Sequence, residues 1–70
     1  MKKGIVLTDI ESKITLIAFE PYHKANIYRA IPPLRQANEI IEKLDKGDYE
    51  IFDESKMKEY QKSSQLIILN

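Results

Sequence analysis

Apolar positions fall along the chain in blocks of two periods. "GIVLTDI", residues 4 to 10, and "ITLIAFE", residues 14 to 20, are rich in β-branched and aromatic residues, with Glu11, Ser12 and Lys13 between them. That composition and spacing predict a β-hairpin, and the lack of glycine in the connection leaves its register open. "NIYRAI", residues 26 to 31, has the composition and length of a third strand. Ile31 precedes proline, which drives it toward extended backbone, and Pro32 and Pro33 cannot donate to a ladder, so the strand stops there.

From Pro33 to Lys46 the period changes. At 100° per residue Leu34, Ala37, Ile40, Ile41 and Leu44 fall within an arc of about 120°, the width of a helix laid on a core. Glu39 with Lys43 and Glu42 with Lys46 are acid-then-base pairs on the opposite face, and Gly47 is a helix stop. No Ser, Thr, Asp or Asn cap precedes Pro33. "DYEIF", residues 48 to 52, reads as a short strand. Asp53 is then an N-cap, with Phe52 and Met57 at the two positions of a hydrophobic staple, for a short helix from Glu54 to about Lys62. "QLIILN" closes the chain, and its four consecutive apolar residues suit a strand covered on both faces.

The expected order is β-β-β-α-β-α-β, which is an α+β fold. A small, mostly antiparallel sheet of four or five strands carries one amphipathic helix and a short second helix, in a single compact domain over residues 1–70. In the first strand Ile5 and Leu7 point one way and Val6 and Ile10 the other; in the second, Ile14 and Leu16 oppose Ile17 and Phe19. Both faces of the sheet are apolar, and one long helix covers one of them. Either the short helix covers the other face, or a second copy or a partner does.

Length sharpens that question. A chain of 70 residues buries only about 60 to 65% of the surface its unfolded form exposes. With no cysteine there is no disulfide or thiolate metal site, and oligomerisation is the remaining staple, so a homodimer is a live expectation. The apolar runs "ITLIAF" and "LIIL" fall far short of the roughly 20 residues that span a bilayer. "MKKGIVLTDI" opens on bases like a signal peptide, but Thr8 and Asp9 interrupt it, so the expectation is a mature cytoplasmic protein with no membrane partner.

Formal charge sums to zero but is unevenly spread. Residues 21 to 38 carry Lys24, Arg29 and Arg35 with no acid, whereas residues 39 to 59 carry eight acids against four lysines. That balance argues against binding nucleic acid by charge alone and against acidic mimicry of DNA.

No catalytic constellation stands out. His23 has no evident nucleophile or orienting carboxylate, and Ser12, Ser55, Ser63 and Ser64 lie in no nucleophile motif. Zinc usually takes four ligands from cysteine, histidine and carboxylate, and His23 is the one nitrogen or sulfur ligand in the sequence. The acidic run Asp45, Asp48, Glu50, Asp53 and Glu54 lacks the ligand spacing of a calcium loop and reads as a solvated turn. Gly4 and Gly47 build no phosphate-cradling loop, so no catalytic residue, cofactor or metal is expected.

Binding remains. Tyr22, His23, Lys24, Tyr28, Arg29 and Arg35 form the candidate partner-binding set, since arginine beside aromatic and aliphatic neighbours is a typical interface composition. Two alternating orientations of the 26–31 strand are open, one presenting Ile27, Arg29 and Ile31 and the other burying both isoleucines and forcing Arg29 to snorkel. In style the compact, cysteine-free chain resembles the small accessory proteins that phages and mobile elements encode to regulate or inhibit one host protein. The expectation is a non-enzymatic protein-binding module, a regulator or inhibitor of a partner. The alternative is nucleic-acid binding through residues 22–35, by stacking and phosphate contacts.

Overall fold

A computed structural model describes residues 3–31 and 37–69. The architecture is α+β. In chain order it runs β1 (Gly4–Asp9), β2 (Ile14–Phe19), α1 (Lys24–Ala30), α2 (Ala37–Lys46), β3 (Glu50–Ile51), a 3-10 turn (Glu54–Lys56), α3 (Met57–Tyr60) and β4 (Gln65–Leu69). The sheet has the order β3-β1-β2-β4. β1 is antiparallel to both β2 and β3, and β4 lies parallel to β2 at the sheet edge.

The hairpin forms as the apolar blocks predict, and its register is now set: Val6 pairs Ile17, Leu7 pairs Leu16 and Asp9 pairs Ile14. Two devices shape its loop. The buried Asp9 carboxylate accepts from the amides of Glu11 at 3.3 Å and Ser12 at 3.4 Å, and from the Ser12 hydroxyl. Lys13 then takes a left-handed φ of 57°, the conformation that glycine or asparagine would adopt with less strain.

The segment read as a third strand is a helix. α1 buries Ile27, which has 0% exposure, and the following Ile31, at 7%, in the main core. Their i,i+4 spacing puts both on one helical face while Arg29 stays on the other, so neither alternating orientation applies. Burying Ile27 alone contributes about 1.5–3 kcal/mol, more than the β preference of an isolated isoleucine-tyrosine pair. The pre-proline constraint does operate: Ile31 is the C-cap with extended backbone at φ −72° and ψ 124°.

α2 is the expected amphipathic helix over its described part, with Ile40 and Leu44 buried and Ile41 half-buried. The expected start at Pro33, and Leu34, lie outside the described residues. The helix ends in a Schellman motif, Asp48 N donating to Lys43 O at 2.8 Å and Gly47 N to Leu44 O at 3.2 Å, with Gly47 at φ 72°. Part of its polar face is used for tertiary contact. Lys43 Nζ donates to Thr8 O at 2.8 Å, which stitches α2 to the tip of the hairpin, and Glu39 lies close enough to Asp9 for each carboxyl to shift the other's titration.

Both sheet faces are covered, and the two candidates for the second face are separated. On one face Ile5, Leu7, Ile14, Leu16 and Ala18 pack with Ile27, Ile31, Ile40 and Leu44. On the other, Val6 and Ile17 pack with Tyr60, flanked by Phe19, Phe52, Met57 and Leu66. The short helix therefore caps the second face. Its entry is built as expected, the Asp53 side chain accepting from Ser55 N at 3.0 Å while Phe52 and Met57 staple the turn. Phe19 and Phe52 meet edge to face at 4.8 Å. Thr15 of β2, buried on this face, hydrogen-bonds Ser63 and ties the α3–β4 connection to the sheet.

Candidate functional site

The candidate residues of the basic, aromatic segment divide between two surroundings. Tyr22 is half-buried against the main core. Burial pushes its phenol up, and a hydrogen bond with Tyr49 and the nearby Glu20 charge push the same way. Tyr22 is thus a core-edge residue. His23 is exposed at the N-cap of α1 and makes no side-chain capping bond.

Lys24 and Tyr28, one helical turn apart, converge on Asp45 of α2. The Tyr28 hydroxyl donates to Asp45 Oδ1 at 2.6 Å, and Lys24 Nζ lies 3.8 Å from the same oxygen. The hydrogen bond to that carboxylate holds the Tyr28 phenol above its usual range, with slight desolvation and the Asp45 charge adding to it. The helical period, hidden by reading this segment as a strand, makes Lys24 and Tyr28 neighbours. Of the described cations of the segment, Lys24 is matched by an acid within the fold. Arg29 is exposed and makes no ion pair with a described residue, and Arg35 lies outside the described residues.

Among the described residues no group of three or more His, Asp or Glu side chains is placed to hold a metal ion. None of their buried side-chain nitrogen or oxygen atoms lacks a partner. Asp9 is a buried carboxylate, and it is fully engaged. Burial alone would raise its pKa, but the hydrogen bonds from Ser12, Glu39 and the Ser12 and Glu11 amides outweigh that and hold it low. Glu39 is pushed up in turn by its hydrogen bond to Asp9 and by that charge.

The surface that sequence reading did not single out is the β4 edge. Gln65 N donates to Lys13 O at 3.2 Å, and in a parallel ladder alternate residues turn to the same neighbour. Gln65, Ile67 and Leu69 therefore face β2, and the backbone N–H and C=O groups of Leu66 and Ile68 point outward, without a partner among the described residues. Leu66, Ile67 and Leu69 are half-buried, and Ile68 is 44% exposed. From Ser63 to Asn70 the sequence has no charge and no proline, in a chain that is 31% charged. The run "LIIL" carried the signal, because a strand apolar on both faces belongs inside a sheet and this one ends it.

No helix among the described residues is long and apolar enough to cross a membrane. No protein family, curated protein or solved structure matches the chain.

Proposed function

We propose that the chain is a non-enzymatic, cytoplasmic protein-binding module, a regulator or inhibitor that acts by contact, and that its contact site is the open edge of β4. One observation carries this reading: the strand presents outward backbone groups at Leu66 and Ile68 beside exposed apolar surface, with no charge to deter a pairing strand. Strand addition supplies affinity through main-chain hydrogen bonds and selectivity through alternate side chains. The opposite edge is unsuited. β3 has two residues, one of them Glu50, and Asp48, Asp53 and Glu54 surround it, which is how sheets protect an edge.

The test uses the full chain, immobilised, with wild type compared with Ile68→Lys in lysate treated or not with nuclease. Circular dichroism first establishes that the variant is folded. The expected result is a protein retained by wild type after nuclease and lost with Ile68→Lys. Retention that Ile68→Lys leaves unchanged would remove β4 as the contact site. Retention that nuclease abolishes, with nucleic acid in the untreated eluate, would replace the reading with nucleic-acid binding through residues 22–35.

A further inference from the structure

We infer that the β4 edge is occupied by the β4 edge of a second copy, in a two-fold antiparallel pair centred on Ile67. The inference rests on the reading of β4 as a strand-accepting edge and names its partner. Three ways of joining sheet edges are available, and charge and closure choose among them. Pairing β3 with β3 would bring Glu50 and its acidic neighbours against their own copies. Pairing β4 with β3 is heterologous and leaves a free edge at each end, so it propagates into an open chain. Pairing β4 with β4 closes after two copies and sets no charge against itself, because Ser63 to Asn70 carries none.

The outward groups fix the register. Leu66 and Ile68 both point away from β2. An antiparallel partner satisfies both residues when Leu66 of each copy opposes Ile68 of the other, giving about four backbone hydrogen bonds. Ile67 then faces its own symmetry mate as a non-hydrogen-bonded pair, with Cα atoms about 4.5 Å apart. On the face capped by α3, each half-exposed Ile68 lies beside the partner's Leu66 and is covered by it. A two-fold axis normal to the sheet keeps like faces together, so the α1 and α2 layers of both copies lie on the same side. The contact is a single strand pair, short of the roughly 1,200 Å² of a standard interface, so a reversible dimer is expected.

Absence of cysteine makes the register directly readable. A single Ile67→Cys places two thiols across the axis within the Cα separation of about 4.4–6.8 Å that a disulfide needs. Mild oxidation of purified full chain should convert it to a covalent dimer, while Ile10→Cys, on the exposed hairpin tip, should not cross-link at the same concentration. Sedimentation equilibrium from micromolar to millimolar protein should give a dimer for wild type and, for Ile68→Lys, a dissociation constant raised by about tenfold or more.

A dimer that Ile68→Lys leaves intact, or that Ile67→Cys does not trap, would overturn the inference by placing the interface elsewhere. Monomer at every concentration also overturns it, and a synthetic peptide of residues 64–70 with an added solubilising lysine tail then separates the two ideas. Binding of that peptide to wild type but not to Ile68→Lys sustains β4 as a strand-accepting edge that two folded copies do not share. No binding removes that reading as well.

Discussion

Replacing Tyr60 by alanine tests whether α3 seals the second face of the sheet. Tyr60 is 6% exposed and lies against Val6 and Ile17, and its ring centroid is 6.0 Å from that of Phe52. Truncating a buried aromatic side chain costs about 3–5 kcal/mol, from lost transfer free energy and the cavity left behind. A chain of this length has a total stability of about 3.5–10 kcal/mol, so the variant should be near the edge of folding. Tyr60→Phe isolates the polar contribution. Among the described residues the hydroxyl accepts one bond, from Asp53 N, and at 3.3 Å it is long, so the loss should stay below about 1 kcal/mol. Urea unfolding followed by circular dichroism gives both values, and a hydrophobic dye should report the uncovered face in Tyr60→Ala. A loss below about 1 kcal/mol for Tyr60→Ala, with no dye binding, would refute the idea that these four helical residues are what covers Val6 and Ile17.

The Asp9–Glu39 contact makes stability depend on pH in two opposed ways. Asp9, with its pKa held low in the fold, stabilises above its unfolded value near 3.8, and that contribution is lost as pH falls through the lower folded value. Glu39, raised in the fold, stabilises below about 4.5, and its contribution is lost as pH rises through the folded value. Glu39→Gln keeps a donor to Asp9 and removes the repulsion, so it should raise the melting temperature at pH 7 and converge on wild type near pH 4; parallel pH profiles would contradict the contact. Gly4→Ala would set a Cβ 2.6 Å from the Ala18 carbonyl oxygen, and the forced shift should cost about 1–3 kcal/mol by urea unfolding. Lys13→Gly relieves a left-handed φ of 57° and should stabilise by about 0.5–1 kcal/mol, whereas no gain would mean that the loop holds Lys13 by another constraint.

Where one physical influence dominated a segment, the sequence was readable. Alternation and β-branching gave the hairpin, the 3.6-residue stripe gave α2, and Asp53 with its staple gave the entry to α3. "KANIYRA" failed because two influences compete there: isoleucine and tyrosine favour a strand, while the i,i+4 spacing of Ile27 and Ile31 favours a helix. Tertiary burial decided it. The Asp45 contacts with Lys24 and Tyr28 were hidden behind that misreading, since on a strand those two residues are too far apart to share one carboxylate. Asp9 was hidden for another reason. Its role depends on which residue opposes Ile14, and register is what the glycine-free loop left open. The β4 edge was visible as an apolar run, but strand order decides whether such a run is interior or marginal, and parallel placement beside β2 is a long-range outcome.

The inferred dimer also changes how stability is measured, because association that needs the native state stabilises it by mass action. At a total concentration tenfold above the dissociation constant about a fifth of the folded chain is free monomer, which corresponds to about 1 kcal/mol of added stability per chain. For a domain of this size that is a rise of about 4–8 °C in Tm relative to a sample well below the dissociation constant. The rise should disappear over the same concentration range in Ile68→Lys, whose substitution lies on the half-exposed edge and leaves the buried clusters untouched. Scanning calorimetry of both proteins over a hundredfold range of concentration gives the comparison. Equal slopes of Tm against concentration would mean that β4 contributes nothing to association. A slope in wild type alone would mean that this short chain, without disulfides, gains part of its stability from a second copy paired at the β4 edge.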